Sequence, residues 1–249
     1  MSLISEARNT PLIVFARQLS PVEGEAPEIV SFWDGSLSAH GACVYLRWQL
    51  PAGPAFVRLV AAKCRVAPLV GATVQRMELQ GLTTCARLTY KVVNALNFVV
   101  RSVTVVGDSM CCLMALRHDG VHFNAYFQHR LCEVQEHLEK LRALVEVLYP
   151  VHWVQSSLNP ADMLTKPGTR PEDMGPGCTW QCGPAFLRED RECWPILIPD
   201  VEGAIPAGEV RKGAVVNLAE QGQVGARGGA GGGPPNPPPR DTCTPHTGV

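Results

Sequence analysis

From about residue 28 the pattern of apolar and polar positions sorts into strands first and helices afterwards. EIVSFWDGS (28–36) is an apolar, aromatic run that ends on a Gly-Ser turn signal, and GACVYLRWQ (41–49) follows directly. Pro51-Ala52-Gly53-Pro54 marks a turn, after which AFVRLVAAKCRV (55–66) is a third strand-like run. Three such runs joined by short turns predict an antiparallel meander. The period then changes: Leu82, Ala86, Thr89, Val93 and Leu96 recur at helical spacing within 74–96, with no Gly or Pro after Gly81. SVTVVGDS (102–109) has the short apolar character of a buried parallel strand. Leu131, Val134, Leu138, Leu141, Val145 and Leu148 alternate three and four apart, predicting a helix over 124–148 that Pro150 stops. HWVQSS (152–157) reads as a last strand, and Asn159-Pro160 supplies an N-cap followed by Pro at the first helical position. The order β-β-β-α-β-α-α-β-α predicts an α/β fold, a mixed five-stranded sheet with helices packed against it.

Composition changes this picture in two places. Of 249 residues, 46% are hydrophobic and 18% charged, ordinary values for a chain that buries a core. Gly and Pro crowd into the last fifty positions, where 228–239 reads GGAGGGPPNPPP, and that tail is expected to be disordered. A net charge of −1 argues against a protein held to nucleic acid by bulk electrostatics, yet between Glu28 and Arg170 there are 14 Lys and Arg against 10 Asp and Glu.

The ten cysteines lack the spacing of a disulfide framework or a zinc site. Cys43, Cys64, Cys85 and Cys132 fall inside predicted strands or helices as small apolar residues, and Cys178, Cys182 and Cys193 lack a second CxxC or a His pair. Free thiols in a reducing compartment are the expectation. MSLISEARNTPLIVFARQL (1–19) has no signal-peptide organisation, and no apolar run approaches the ~20 residues of a membrane span. An intracellular protein, cytoplasmic or nuclear, is expected, with no membrane partner.

Acids are rare in the strand segments, so their positions are informative. Asp34 closes the first strand, Asp108 ends the fourth, Glu78 sits near the start of the first helix, and Asp162 in the first turn of the last. Each alone has an ordinary reading: Asp34 as a turn residue before Gly, Glu78 and Asp162 as acids favoured by a helix N-terminus. Asp108 is harder to dismiss, because its run is otherwise apolar. Together, two strand ends and two helix starts can converge on one edge of the sheet, where four carboxylates would need cations and could hold two Mg²⁺ ions for phosphodiester hydrolysis.

The order Asp34, Glu78, Asp108, Asp162 on this succession of elements resembles the DEDD arrangement of ribonucleases H. FWDGSLSAHGACVYLR, LVAAKCRVAPL, VQRMELQGL, VVGDS, NPADMLTK and TWQCGPAFLREDRECWP are similar to successive blocks of BEL/Pao-type retrotransposon polyproteins, over residues 28–196. AAKCRVAPL followed by RMEL is the most specific of these. The resemblance implies a ribonuclease H-like domain over 28–170, preceded by a leader or connection segment (1–27) and followed by an extension (171–197) and the tail (198–249). It implies hydrolysis of the RNA strand of RNA–DNA hybrids with two Mg²⁺ ions, Mn²⁺ substituting. Asp34 would bridge both ions, Asp162 would complete the site of the ion that activates water, and Glu78 and Asp108 would hold the second. Lys63, Arg65 and Arg76 are candidates for backbone phosphate contacts. The loop before the last helix, Gln155-Ser156-Ser157-Leu158, lacks the His that many ribonucleases H place there, and His152 reads as a structural side chain. His40, His118, His122, His129 and His137 form no ligand cluster. With no YxDD-type reverse transcriptase site before it and no integrase after it, the chain is expected to be a piece of an element or a host gene derived from one, and a separate reverse transcriptase domain is a candidate partner.

Of three rivals, two fail on sequence and the third stands. The segment is also known as a Pao retrotransposon peptidase, but an aspartic peptidase needs Asp-Thr-Gly or Asp-Ser-Gly, where this chain has Asp34-Gly35-Ser36 and Asp108-Ser109-Met110. An integrase-type nuclease needs an acid about 35 residues past the second Asp, where Ala143 and Leu144 stand. A catalytically silent fragment or a domesticated nucleic-acid-binding module would keep the fold without the reaction.

Overall fold

The computed structural model describes residues 26–117 and 123–198. The expected leader, apart from its last two positions, and the tail beyond Ile198 lie outside the described residues, as do His118 and His122.

The meander forms as the pattern predicts. β1 (Glu28–Gly35), β2 (Ala39–Trp48) and β3 (Phe56–Val66) pair antiparallel, with a register shift between Val44 and Tyr45. α1 (Val74–Ala95) crosses the sheet and returns the chain to β4 (Ser102–Gly107), which lies parallel to β1. α2 (Met110–Arg117) and α3 (Ala125–Arg142) follow, then the two-residue strand β5 (Val147–Leu148) and β6 (His152–Val154), both parallel to β4. After α4 (Asp162–Thr165) and α5 (Thr179–Cys182), β7 (Ile196–Leu197) pairs antiparallel with β6. The strand order is β3-β2-β1-β4-β6-β7, with β5 also on β4. The result is a mixed sheet with helices on both faces.

Alternation along the strands divides the core in two. Ile29 and Trp33 of β1 meet Leu79, Leu82, Phe123, Phe127 and Leu131 beneath α1 and α3. Val30 and Phe32 point to the other face, against Tyr45, Val154, Trp180, Phe186, Leu187 and Trp194. Side chains of successive strand residues leave the sheet on opposite sides, so one run of apolar residues supplies both cores. Thr73 caps α1 by accepting from the Arg76 amide at 3.3 Å, and Asn124 caps α3 through the Phe127 amide at 3.0 Å.

Several expectations need correction. The helix predicted to run to Leu148 stops at Arg142. Its last apolar positions turn instead onto the sheet, where the Val147 amide donates to Arg101 O and the Tyr149 amide to Val103 O, both at 3.0 Å. Val145 and Leu148 still pack against the larger core, so their burial is kept while the backbone changes partner. The sheet has seven strands rather than five, because β5 and β7 are too short to show a period. The final helix begins at Asp162, not after Asn159: its preceding turn is closed by Asp162 N to Asn159 O and Met163 N to Pro160 O, both 3.2 Å. Cys43 and Cys85 are buried as expected, but Cys64 and Cys132 are exposed. No described cysteine is in a disulfide. Among the described residues no helix is long and apolar enough to cross a membrane.

Candidate metal centre

Two parallel neighbours, β1 and β4, end side by side with Trp33 opposite Gly107, which sets Asp34 beside Asp108. β6 runs parallel to β4 with Gly107 opposite Trp153, so the connection to α4 leaves at the same edge and carries Asp162 there. One carboxylate oxygen from each of Asp34, Asp108 and Asp162 lies within 4.8 Å of the other two. Glu78, in the second turn of α1, is not in that group. Its Oε2 accepts from Ser109 Oγ at 2.7 Å, which ties α1 to the residue after Asp108.

The approach of α1 to β1 depends on two glycines. A Cβ on Gly35 would overlap the backbone of Met77 and Glu78, and a Cβ on Gly81 would overlap the Asp34 carbonyl. Without side chains at both positions the helix seats on the strand end and places Glu78 at the rim of the cluster.

Residues of the β6–α4 connection hold the carboxylates in place. Asn159 Nδ2 donates to Trp33 O at 2.9 Å and to Asp108 Oδ1 at 3.1 Å, while its Oδ1 accepts from the Ala161 amide at 3.1 Å. Trp153 Nε1 donates to the Asp108 carbonyl at 2.9 Å. Thr165 Oγ1 donates to Asp34 Oδ2, and Ser156 Oγ to Asp162 Oδ2 at 3.0 Å. Lys166 Nζ reaches the same Asp162 oxygen and, at 2.9 Å, Ser156 Oγ. None of Asn159, Thr165, Ser156, Lys166 and Ser109 was a predicted site residue; the signal available was a run of small polar residues in the connection, which also describes an ordinary turn.

Burial sets the electrostatics. Desolvation raises the Asp34 carboxyl above its ordinary value, and the charges of Asp108 and Asp162 raise it further against the Thr165 hydrogen bond and the Gly35 amide. Glu78 is also raised, first by burial and then by Asp108 and Asp34, against the Ser109 hydrogen bond. For Lys166, partial burial pulls the ammonium down, but the Asp162 hydrogen bond and the charges of Asp162, Asp34 and Asp108 outweigh it and raise the pKa.

Three carboxylates converge here, the Asp34 carboxyl raised by burial and by its neighbours' charge, and Lys166 answers only one of them. Asp162 Oδ1 is buried with no hydrogen-bond partner among the described residues. A hard divalent cation, which takes oxygen ligands, fits both observations. His152 lies apart from this donor set: burial, Arg191 and Arg117 lower its pKa against a backbone hydrogen bond at Pro150.

The predicted phosphate contacts lie elsewhere. Lys63 and Arg65 are exposed near the end of β3, and the Arg76 guanidinium stacks over the Tyr126 ring, 5.0 Å from its centre.

A family model described as a Pao retrotransposon-like RNaseH-like domain matches residues 2–109, a stretch that includes Asp34, Glu78 and Asp108 but not Asp162. Among solved structures, the N-terminal RNase H domain of a Mycobacterium tuberculosis protein, fused to maltose-binding protein, is similar at 17% identity and a TM-score of 0.38, covering 56% of this chain and 91% of that one. RNase H1 from the halophilic archaeon Halobacterium salinarum is similar at 16% identity and 0.36, covering 56% and 94%. RuvC of Thermus thermophilus gives 14% identity and 0.26, covering 49% and 60%. No curated protein matches the chain significantly in sequence.

Proposed function

We propose, for a chain whose residues 2–109 match the model of a Pao retrotransposon-like RNaseH-like domain, that it hydrolyses the RNA strand of RNA–DNA hybrids at the Asp34–Asp108–Asp162 cluster. The observation that carries the reading is the convergence of these three carboxylates, from three separate segments of the chain, on one edge of the sheet. Asp34, Asp108 and Asp162, with Glu78 at the rim, would hold divalent cations, Mg²⁺ by preference or Mn²⁺. Bound there, the cations would supply a water of lowered pKa and charge stabilisation for the phosphorane-like transition state.

The chain's own residues supply the rest. Asn159 holds the Asp108 carboxylate and the end of β1 in one arrangement, so two ligands keep their spacing without a metal to template them. Thr165 orients Asp34 by occupying one of its oxygens, which leaves the other for a cation. Ser109 does the same for Glu78. The Lys166 ammonium beside Asp162 offers a fixed positive charge to a phosphate oxygen arriving at the cluster. Discrimination of RNA from DNA would rest on 2′-hydroxyl contacts and helix shape rather than on base reading.

The test is cleavage of an end-labelled RNA–DNA hybrid by the full chain with Mg²⁺ or Mn²⁺, beside Asp108→Asn. The expected result is cutting of the RNA strand alone, slowed by about 100-fold or more in the variant, the cost of several kcal/mol of transition-state stabilisation. A folded protein that binds the hybrid and leaves it intact would move the reading to a nucleic-acid-binding module.

A further inference from the structure

The four acids are not held alike. Thr165 Oγ1 donates to Asp34, Asn159 Nδ2 to Asp108 and Ser109 Oγ to Glu78, and each of these donors is neutral. Among the described residues only Asp162 is held by a cation: its Oδ2 accepts from Ser156 Oγ and from Lys166 Nζ, while its Oδ1 is buried with no hydrogen-bond partner. A neutral donor fixes the direction of a carboxylate and leaves its charge for a metal ion, whereas an ammonium in contact with it neutralises that charge.

Lys166 is fixed at the backbone and free to turn beyond it. Its amide closes the last turn of α4 onto Asp162 O at 2.9 Å, which sets the two side chains four residues apart on one side of that turn. Nζ also donates to Ser156 Oγ at 2.9 Å. The Lys166 side chain is 50% exposed against 20% for Asp162, and its four-carbon stem can rotate without moving the backbone. Both residues border an open cleft of about 590 Å³, which Met163, Cys178, Glu172 and Asp173 also line. Met163 and Cys178 pack against the core that holds Val30 and Phe32, and by strand alternation Asp34 points to that same face. Asp173 is engaged with Arg170, its Oδ2 accepting from the Arg170 amide at 2.8 Å, whereas Glu172 forms no ion pair among the described residues.

We propose that Lys166 is an internal competitor of the metal: its ammonium neutralises Asp162 until a divalent cation takes that carboxylate, and then turns across the cleft to Glu172. The inference rests on the proposed metal-dependent hydrolysis and adds a regulation to it, because the cation must displace a charge already in place. A phosphate arriving at the cluster offers the ammonium another anionic partner, so substrate and cation favour each other's entry. An ordinary exposed ion pair four residues apart would leave metal binding unchanged, and a buttress for Asp162 would assist it. Competition alone requires that removing the ammonium tightens the metal.

The experiment is isothermal titration calorimetry of Mn²⁺ into the full chain without nucleic acid. Lys166→Gln is expected to tighten binding about tenfold or more, the effect of losing one charged hydrogen bond to the ligand oxygen. Lys166→Arg is expected to keep the parent's affinity or weaken it, because a guanidinium holds a carboxylate at least as well. Glu172→Gln removes the alternative partner and is expected to weaken binding roughly twofold. Arg170→Gln removes an exposed cation from the same segment and is expected to change affinity by less than that. Unchanged or weaker binding in Lys166→Gln, or an equal gain from Arg170→Gln, would overturn the proposal. Should circular dichroism show Lys166→Gln unfolded, Glu172→Gln carries the test, and binding as tight as the parent's overturns it. Hybrid cleavage is scored separately. Mn²⁺ affinity that responds as expected in a chain that cuts no hybrid keeps this inference and removes the nuclease reading, and cleavage with Mn²⁺ affinity indifferent to Lys166 does the reverse. A chain that takes up no Mn²⁺ removes both.

Discussion

Asp34 and Glu78 are carboxyls that the fold holds in a place where ionisation is unfavourable, and the pH dependence of stability follows from that. Their pKa values are raised in the folded state, so between the ordinary carboxylate range and the raised values the folded chain binds more protons than the unfolded one. Stability from these groups is therefore complete below the ordinary range and falls as pH rises through the raised values. Glu133 acts in the opposite sense: its burial is outweighed by Arg130 and Arg87, its pKa is lowered, and its contribution is lost as pH falls. Asp34→Asn separates the two. In chelator, the variant is expected to lose less thermal stability than the parent between about pH 4 and neutrality, where carboxylates titrate. Adding Mg²⁺ at neutral pH should raise the parent's unfolding midpoint, by the equivalent of about 1.4 kcal/mol at ten times the dissociation constant, and should raise the variant's less. Calorimetry that shows identical pH profiles for the two proteins, or no response to Mg²⁺, would contradict a cation-seeking cluster.

At the scale of elements, the site depends on how closely α1 lies on β1. Gly81 is, with Gly35, one of two positions where this is tight, since any Cβ there meets the Asp34 carbonyl, which is backbone and cannot rotate away. Gly81→Ala would gain about 0.5–1 kcal/mol of helix propensity. Against that gain, pushing the helix off the strand costs about 1–3 kcal/mol as overpacking does. A net loss of stability is expected, and Glu78 should retreat from Ser109, so the Mg²⁺-induced rise in the unfolding midpoint should shrink too; an alanine variant as stable and as metal-responsive as the parent would show the contact to be slack. The periodicity of 74–96 was enough to place this helix, because a long amphipathic stripe has one good geometry, but it showed Gly81 only as tolerated and not as required. The same periodicity misled at 143–148, where Val145 and Leu148 pack on the core whether the backbone is helix or strand. The acids were legible because a carboxylate at the end of an apolar strand is costly and so stands out. Asn159 and Thr165 were not, because short polar side chains look alike whether they cap a turn or hold a ligand, and a single lysine such as Lys166 reads as surface charge.

Residues 171–197 read as an extension, yet Tyr45 Oη donates to Trp180 O at 2.9 Å, and Arg47, ion-paired with Glu28, donates through Nε to Leu187 O at 2.8 Å and through a second nitrogen to Glu189 O at 2.9 Å. Arg191 reaches Thr104 Oγ1 at 2.8 Å, and its guanidinium lies 3.5 Å from the centre of the Tyr149 ring. Trp180, Phe186, Leu187 and Trp194 fill the core on the face of the sheet that holds Phe32, Tyr45 and Val154, and β7 covers the edge that β6 would otherwise expose. Burying four such side chains contributes on the order of 6 kcal/mol or more. That is comparable with the whole stability of a typical domain, about 5–15 kcal/mol. A chain ending at residue 170 would also leave Arg47 without its two carbonyl partners, so it is expected to lose cooperative unfolding and near-ultraviolet circular dichroism, whereas one ending at residue 198 keeps both. Should the shorter chain unfold cooperatively near the temperature of the longer one, the C-terminal segment would be an appendage after all, and the carboxylate cluster would owe nothing to it. If it does not, the metal response of the longer chain should be missing from the shorter, because β1, β4 and β6, which bring Asp34, Asp108 and Asp162 together, all rest on the face that this segment completes.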